Sequence, residues 1–250
     1  MLKKLVVLLF GLIVLPVLIF VIWPDKPYIP HQVSPEYQAQ LDTFDIPDMP
    51  DDWTWLYVET EDGARLRYGV GEINPDAKAT LIFIPGFTDT LSQYGEHFTY
   101  WQNAGYTVIG LDLRGQGGSS RPFPAHPERP WVDDFGIYAD DLTGFLDMLH
   151  TDQSRPYILI GASFGGHVSF RAASERSQNI DGMVLLAPVF RPNTAPYSYK
   201  LSKTITGTLN RLGKSKRYGV GQHDWRPDTD DMSLPIACSS APKRVYVRDA

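Results

Sequence analysis

Ser163, which lies between Gly161 and Gly165, is the residue whose sequence context most clearly indicates a catalytic role. Gly161-Ala162-Ser163-Phe164-Gly165 matches the pattern G-x-S-x-G, follows an apolar run at residues 157–160 and precedes a helix-like run. In a strand–turn–helix of this kind the turn lifts the serine hydroxyl above the sheet edge, and the glycines let the neighbouring backbones pass. A glycine-rich turn with an idle serine fits the bare pattern too. The flanking strand and helix are what favour Ser163 as a nucleophile.

Such a serine supports acyl transfer, in which its Oγ attacks a carbonyl carbon and two backbone N–H groups hold the resulting oxyanion. One donor is expected to be the amide of Phe164, directly after the serine and at the positive end of its helix. The other is expected to be the amide of Phe87, in the segment Pro85-Gly86-Phe87-Thr88 that ends an apolar run. Phe87 as a core aromatic is compatible with this role, since only its amide takes part.

Strands alternate with helices in the part of the chain that carries these residues. Continuous apolar runs at residues 80–84, 106–111, 157–160 and 183–187 predict buried strands, and helical spacings between them predict amphipathic helices. Asp62-Gly63, between two strand-like runs, predicts a hairpin before the first of these strands. This order predicts an α/β fold, with a mostly parallel sheet flanked by helices and a hairpin at its N-terminal end.

Three segments together resemble the α/β-hydrolase superfamily. They are Pro85-Gly86-Phe87, Asp112 to Ser119, and Gly161 to Gly165, in an order that is more specific than any one of them. Within the superfamily the chain resembles the lysophospholipase and monoacylglycerol lipase branch, of serine aminopeptidase S33 type. The resemblance implies a serine hydrolase that acts on a carboxylic ester, either a lysophospholipid or a monoacylglycerol, without a cofactor. One departure is Pro85, where that branch often has histidine.

The partners that a serine nucleophile of this fold requires are an acid and then a histidine, each on a loop after a later strand. Only His167 and His223 follow Ser163. His167 is one turn along the helix after the serine, where a packed, hydrogen-bonded ring is the simpler interpretation. His223 lies in a polar loop with no strand before it. We therefore expect the acid and the histidine to lie beyond residue 250, so that the chain is a C-terminally truncated hydrolase.

The stretch from residue 190 to residue 250 predicts a partial helical cap with the last strands of the fold missing. The acidic run at residues 228–231 lacks the spacing and closing glutamate of a calcium loop, so no metal site is expected. Two alternatives to an ester hydrolase stay open: a non-catalytic protein with a truncated hydrolase fold, and a serine peptidase of the same superfamily. The apolar residues of the cap recur at helical spacing: Tyr197, Leu201, Ile205, Leu209 and Leu212.

Composition limits the classes of partner. A net charge of -6 with scattered basic residues argues against a nucleic-acid partner. Cys238 is the only cysteine, so no intrachain disulfide can form. The sequence makes no prediction of oligomeric state.

The N-terminal segment predicts a membrane anchor. Leu5–Trp23 is an uncharged run of roughly 19 residues, long enough to cross a hydrocarbon core about 30 Å thick. Lys3 and Lys4 before it favour a cytoplasmic N-terminus, with the hydrolase domain on the outer side of a single-pass protein. A cleaved signal peptide is the alternative, but the run is long and offers no small-residue cleavage site. The predicted organisation is an anchor at 1–23, a tether at 24–50, a hydrolase core at 51–189 and a cap at 190–250.

Overall fold

The computed structural model describes residues 48–123, 125–126, 129, 131–149, 155–175, 180–191, 194 and 198–218, together with Gly11 and Ile19. These residues fall into two units. The larger takes in the described residues from 48 to 190, and the smaller takes in Gly11, Ile19 and the described residues from 191 to 218. The domain limits expected from the sequence stay predictions.

Within the described part of the larger unit, six strands form one mixed sheet in the order β1-β2-β4-β3-β5-β6. β1 pairs with β2 and β2 with β4 in antiparallel fashion, and the remaining neighbours pair in parallel. Gly63 turns the β1–β2 hairpin with a φ of 82°, a left-handed conformation that glycine adopts without penalty. The predicted fold class is confirmed. The strands are β1 (Thr54–Glu59), β2 (Arg65–Val70), β3 (Thr80–Ile84), β4 (Thr107–Leu111), β5 (Tyr157–Ala162) and β6 (Gly182–Leu186).

Helices cover both faces of this sheet. A 3-10 turn at Leu91–Tyr94 leads into α1 (Gly95–Asn103), and α2 (Gly136–Leu149) and α3 (Phe164–Glu175) follow later in the chain. Ile82 and Ile84 of β3 pack in a core with residues of α2 and α3. Leu81 and Phe83 face the opposite core, with residues of the 3-10 turn and α1. Because successive side chains of a strand point to opposite faces, burial on both sides accounts for the continuous apolar run of β3.

The last strand differs from its prediction. Residues 183–187 were expected to form a buried strand, whereas Met183, Val184 and Leu186 of β6 are 37–47% exposed. The physical reason is position: among the described residues β6 pairs with β5 alone and so lies at an edge of the sheet. An apolar run predicts a strand, but how many neighbours that strand has depends on contacts distant in sequence.

The predicted membrane localisation requires correction. Within the described residues, no helix is long and apolar enough to cross a membrane. The longest helix among them, α2, has 14 residues, which rise about 21 Å where a hydrocarbon core is about 30 Å thick. A single-pass protein anchored by an N-terminal helix, with an outer hydrolase domain, is therefore not supported. Apart from Gly11 and Ile19, the predicted Leu5–Trp23 anchor lies outside the described residues.

In the smaller unit, one helix, α4, spans Tyr199–Arg211 among the described residues. Its N-cap is Ser198, whose side-chain oxygen accepts a hydrogen bond from the backbone N–H of Leu201 at 3.3 Å. Gly213 follows its C-terminal end with a φ of 72°. The helical periodicity of Leu201, Ile205 and Leu209 therefore corresponds to a helix, while Tyr197 lies outside the described residues.

Candidate active site

Ser163 lies in the turn between β5 and α3, and its backbone is left-handed, with a φ of 50°. A non-glycine residue in this conformation costs about 1–3 kcal/mol and persists only where its surroundings hold it. Here the Ser163 N–H donates to the carbonyl of Leu186 at 2.8 Å, and its carbonyl accepts the N–H of Val189 at 3.1 Å. The sharp strand-to-helix turn expected at the G-x-S-x-G pattern is therefore present.

The two glycines of the pattern stand where the backbone leaves no room for a side chain. A Cβ on Gly165 would collide with the carbonyl oxygens of Ile84 and Pro85. A Cβ on Gly161 would lie 2.6 Å from both Gly166 Cα and Ser169 Oγ. Gly165 thus lets α3 begin directly against the end of β3, and Gly161 lets α3 pack closely on β5. This close approach brings Ser163 next to the residues that follow β3.

The segment Pro85–Asp89 follows β3 and lies beside Ser163, because β3 and β5 are parallel neighbours and end at the same edge of the sheet. The position that a Cβ of Gly86 would occupy is 3.5 Å from Ser163 Cβ and 2.6 Å from Asp89 Oδ2. The rings of Phe87 and Phe164 are in edge-to-face contact, with centroids 5.7 Å apart. The structure thus brings together Ser163 and both residues expected to supply oxyanion donors. The Phe87 ring is 46% exposed and so does not belong to the core.

Aromatic side chains surround this position and form what we call the aromatic surface, defined at the end of this paragraph. The Phe164 ring contacts Phe135 and Tyr138 at centroid distances of 6.0 and 5.1 Å. Burial raises the pKa of Tyr138 to about 12, so its hydroxyl stays protonated near neutral pH and does not serve as a base. The aromatic surface consists of Phe87, Phe135, Phe164, His167, Phe170 and Phe190, in which each ring contacts at least one other.

The His167 ring contacts two other aromatic rings of this surface. It stacks on Phe164 at 6.4 Å and meets Phe190 at 6.0 Å. Its Nδ1 is buried without a hydrogen-bond partner among the described residues, so the hydrogen-bonded ring expected from the sequence is corrected in that detail. Ser163 Oγ likewise makes no hydrogen bond within the described part of the chain. His223, the other histidine after the serine, lies outside the described residues.

The buried ion pair between Arg67 and Asp112, next to the site, was not predicted from the sequence. Arg67 on β2 and Asp112, directly after β4, are almost fully buried, and Arg67 Nη2 lies 2.7 Å from Asp112 Oδ2. Asp112 also accepts the N–H groups of Leu91 at 2.9 Å and Gly118 at 3.0 Å, and Arg67 donates to Thr90 Oγ1 at 3.0 Å. Burial raises the pKa of Asp112, and Arg67 and the two amides oppose this rise. This pair connects the loop after β4 to the segment after β3.

Comparison with known proteins agrees with this geometry. A profile of the family described as serine aminopeptidase, S33, matches residues 75–245. Monoglyceride lipase of Rattus norvegicus is 29% identical over 133 residues, which cover 53% of this chain and 41% of the lipase. Lysophospholipase L2 of Escherichia coli (strain K12) is 25% identical over 158 residues, which cover 63% of this chain and 44% of that enzyme. The matches span about half the length of these relatives or less.

Solved structures agree on the fold. A carboxyl esterase from Bacillus coagulans in complex with glycerol superimposes with a TM-score of 0.54 at 17% identity, covering 66% of this chain and 52% of the esterase. The matched family profile includes β3 to β6 and the whole turn around Ser163. The resemblance inferred from three short segments is thus confirmed, and the chain belongs to the serine aminopeptidase S33 family and has the α/β-hydrolase fold.

Proposed function

We propose that the chain carries the nucleophile and the oxyanion-binding groups of a serine hydrolase that cleaves lipid esters, with monoacylglycerols or lysophospholipids as substrates. The observation that carries this proposal is the left-handed Ser163 beside the Pro85–Asp89 segment. The names of the matched lipase and lysophospholipase support the substrate class.

In the proposed reaction Ser163 Oγ attacks the ester carbonyl carbon, and its proton passes to a base. The amides of Phe87 and Phe164 donate hydrogen bonds to the tetrahedral oxyanion, each worth about 2.7–4 kcal/mol in related sites. Collapse breaks the bond to the alcohol, which leaves with a proton, and water then hydrolyses the acyl-serine. Among the described residues, none is hydrogen-bonded to Ser163 Oγ, so the base is not assigned.

The aromatic surface supports an apolar acyl group in the substrate. It borders Ser163, and Phe135 is 61% exposed although its ring is large and apolar. An acyl chain that covers such rings gains about 25 cal/mol for each Å² of apolar surface removed from water. Contact with this surface therefore favours long acyl groups over acetyl groups.

The direct test replaces the serine. We expect Ser163→Ala to lower hydrolysis of a monoacylglycerol, and of a p-nitrophenyl ester, by three or more orders of magnitude. The matched control is Ser174→Ala on the same helix, whose exposed hydroxyl donates only to the carbonyl of Arg171. Equal rates for Ser163→Ala and wild type would overturn the proposed role of the serine. A folded wild-type protein with no ester or peptide hydrolysis would favour the non-catalytic alternative.

A serine aminopeptidase is the second candidate, because the matched family is described by that activity. It uses the same serine and the same oxyanion donors on an amide instead of an ester. Aminoacyl p-nitroanilides assayed beside long-chain esters separate the two candidates. Hydrolysis of the anilides with no hydrolysis of the esters would replace the lipid-ester proposal.

A further inference from the structure

We propose that Gln116 is a positioning residue for the oxyanion-binding segment, and that it acts through the backbone of Thr88. This inference rests on the proposed function, in which the Phe87 amide stabilises the oxyanion. Gln116 itself contacts neither Ser163 nor the reacting atoms.

The segment that follows β3 folds into a β-turn. The N–H of Asp89 donates to the carbonyl of Gly86 at 3.3 Å, which makes Phe87 and Thr88 the two central residues. Thr88 has a φ of 65°, and Phe87 is not among the residues with positive φ. A positive φ at the second central position alone defines a type II turn, and glycine or asparagine is the usual residue there. A β-branched threonine at this position is strained, so the surroundings must hold the turn in place.

Gln116 provides the contact that holds it. Its Oε1 accepts a hydrogen bond from the backbone N–H of Thr88. Only an acceptor satisfies an N–H group, so the oxygen of the carboxamide rather than its nitrogen faces Thr88. The Thr88 N–H belongs to the central peptide of the turn, and the direction of that peptide distinguishes a type II turn from a type I turn. Gln116 therefore favours the type II form.

The amide nitrogen of Gln116 shows that this side chain does more than fill space in the core. Gln116 is 2% exposed, and its Nε2 is buried with no hydrogen-bond partner among the described residues. A buried donor without a partner is costly, and an apolar side chain of similar size avoids that cost. The contact from Oε1 to Thr88 accounts for an amide at this position.

The loop that carries Gln116 is itself held firmly. The Gln116 N–H donates to the carbonyl of Leu113 at 3.0 Å, and its carbonyl accepts the N–H of Ser119 at 3.0 Å. Arg121 Nη2 donates to the carbonyl of Gly117 at 2.6 Å. A side chain on so constrained a loop sets the position of its partner rather than following it.

The turn fixes the donor that the reaction needs. In a trans peptide the C=O and N–H groups point in opposite directions. The Gly86 carbonyl is directed at Asp89 within the turn, so the N–H of Phe87, in the same peptide, points away from the turn. That N–H is left to meet an oxyanion. If the strained turn opens, the Gly86–Phe87 peptide and its N–H move, and a displacement of about 1 Å at a catalytic group costs on the order of 100-fold in rate.

The test uses Gln116→Met, which keeps the size of the side chain and removes the acceptor. We expect kcat for a p-nitrophenyl ester to fall about 10- to 100-fold with KM unchanged, since the lost contact matters in the transition state. Gln116→Glu keeps an acceptor oxygen and should recover most of the rate. Adding Thr88→Gly to Gln116→Met should also restore it, because glycine adopts a φ near 65° without strain.

Three results would overturn the inference. They are an unchanged kcat in a folded Gln116→Met, a rise in KM with kcat intact, and a loss of rate that Thr88→Gly does not restore. Amide hydrogen exchange at Thr88 provides a readout that does not depend on catalysis. Exchange should be slow in wild type and in Gln116→Glu, and fast in Gln116→Met. If Ser163→Ala equals wild type in activity, the proposed function has failed, and the exchange rates still decide whether Gln116 holds the turn.

Discussion

Ser163 donates its backbone N–H to the carbonyl oxygen of Leu186 at 2.8 Å, so the turn that carries the serine is tied to the last residue of β6. Val189, three residues further on, donates its own N–H to the Ser163 carbonyl at 3.1 Å. The Ser163 carbonyl also accepts the N–H groups of Gly166 at 3.1 Å and His167 at 3.3 Å, in the first turn of α3. The left-handed conformation at Ser163 is therefore held from two sides, by the end of β6 with the residues after it and by the first turn of α3.

The first prediction concerns the cost of that conformation. Ser163→Gly should be about 1 kcal/mol more stable than Ser163→Ala, because alanine is strained at a φ of 50° and glycine is not. Both variants lack the hydroxyl, so the comparison isolates the backbone. Urea unfolding of the two proteins measures the difference. A more stable alanine variant would show that the turn is relaxed.

The second prediction concerns the close approach of α3 to β3. Gly165→Ala should destabilise the protein by about 2 kcal/mol or more, because its Cβ would meet the carbonyl oxygens of Ile84 and Pro85, which are backbone atoms with little freedom to move. The control is Gly144→Ala, on the exposed face of α2, where a Cβ would meet nothing within 4 Å. That variant should gain about 0.5–1 kcal/mol from helix propensity. Similar unfolding midpoints for the two would contradict the tight contact.

The third prediction concerns the buried ion pair. Asp112→Asn should destabilise the protein by about 3–5 kcal/mol, because it leaves the Arg67 charge buried without a partner. Replacing both residues, as Arg67→Met with Asp112→Leu, should cost much less than the single change. Unfolding of wild type, Arg67→Met, Asp112→Leu and the double variant forms a double-mutant cycle. Additive losses would show that the two side chains do not interact.

The fourth prediction concerns pH. The Arg114 guanidinium, together with the Thr60 hydroxyl, holds the pKa of Asp62 well below its ordinary value of 3.8. The unfolded chain therefore takes up this proton first as the pH falls, so the stabilisation is complete above about pH 5 and is lost in more acid solution. The stability difference between wild type and Asp62→Asn should be constant from about pH 7 to 5 and should shrink below about pH 4. The side chain is half exposed, so the difference should be small.

Urea unfolding of both proteins across this range measures the fourth effect. A difference for Asp62→Asn that grows on acidification would reverse the assigned direction of the pKa shift.

The features that could be predicted from the sequence were those that depend on residues close together in the chain. The apolar run of β3 and the small residues around Ser163 each carry a local pattern, and the structure places both as expected. The contact between Gln116 and Thr88 joins residues 28 positions apart, and the pair Arg67–Asp112 joins residues 45 positions apart. A local periodicity carries no information about such pairs, so these contacts could be identified only from the fold.

The predictions of a buried strand at residues 183–187 and of a membrane localisation were wrong for a related reason. Hydropathy reports how apolar a segment is, and not what lies against it. An apolar run such as residues 183–187 therefore gives the same signal in the middle of a sheet and at its edge. The localisation likewise rested on the composition of Leu5–Trp23 alone, without any contact to test it.

The bond between Ser163 and Leu186 also sets an order of events in folding. α3 forms from residues close in sequence, and the Ser163 carbonyl accepts N–H groups from its first turn, but the Ser163 N–H finds its partner only when β6 has docked beside β5. Non-local strand pairing of this kind is slow compared with helix formation. The nucleophile should therefore acquire its geometry in a late step of refolding, after most of the helical signal has returned. A refolding experiment that follows circular dichroism and covalent labelling of the serine in parallel would find the labelling delayed.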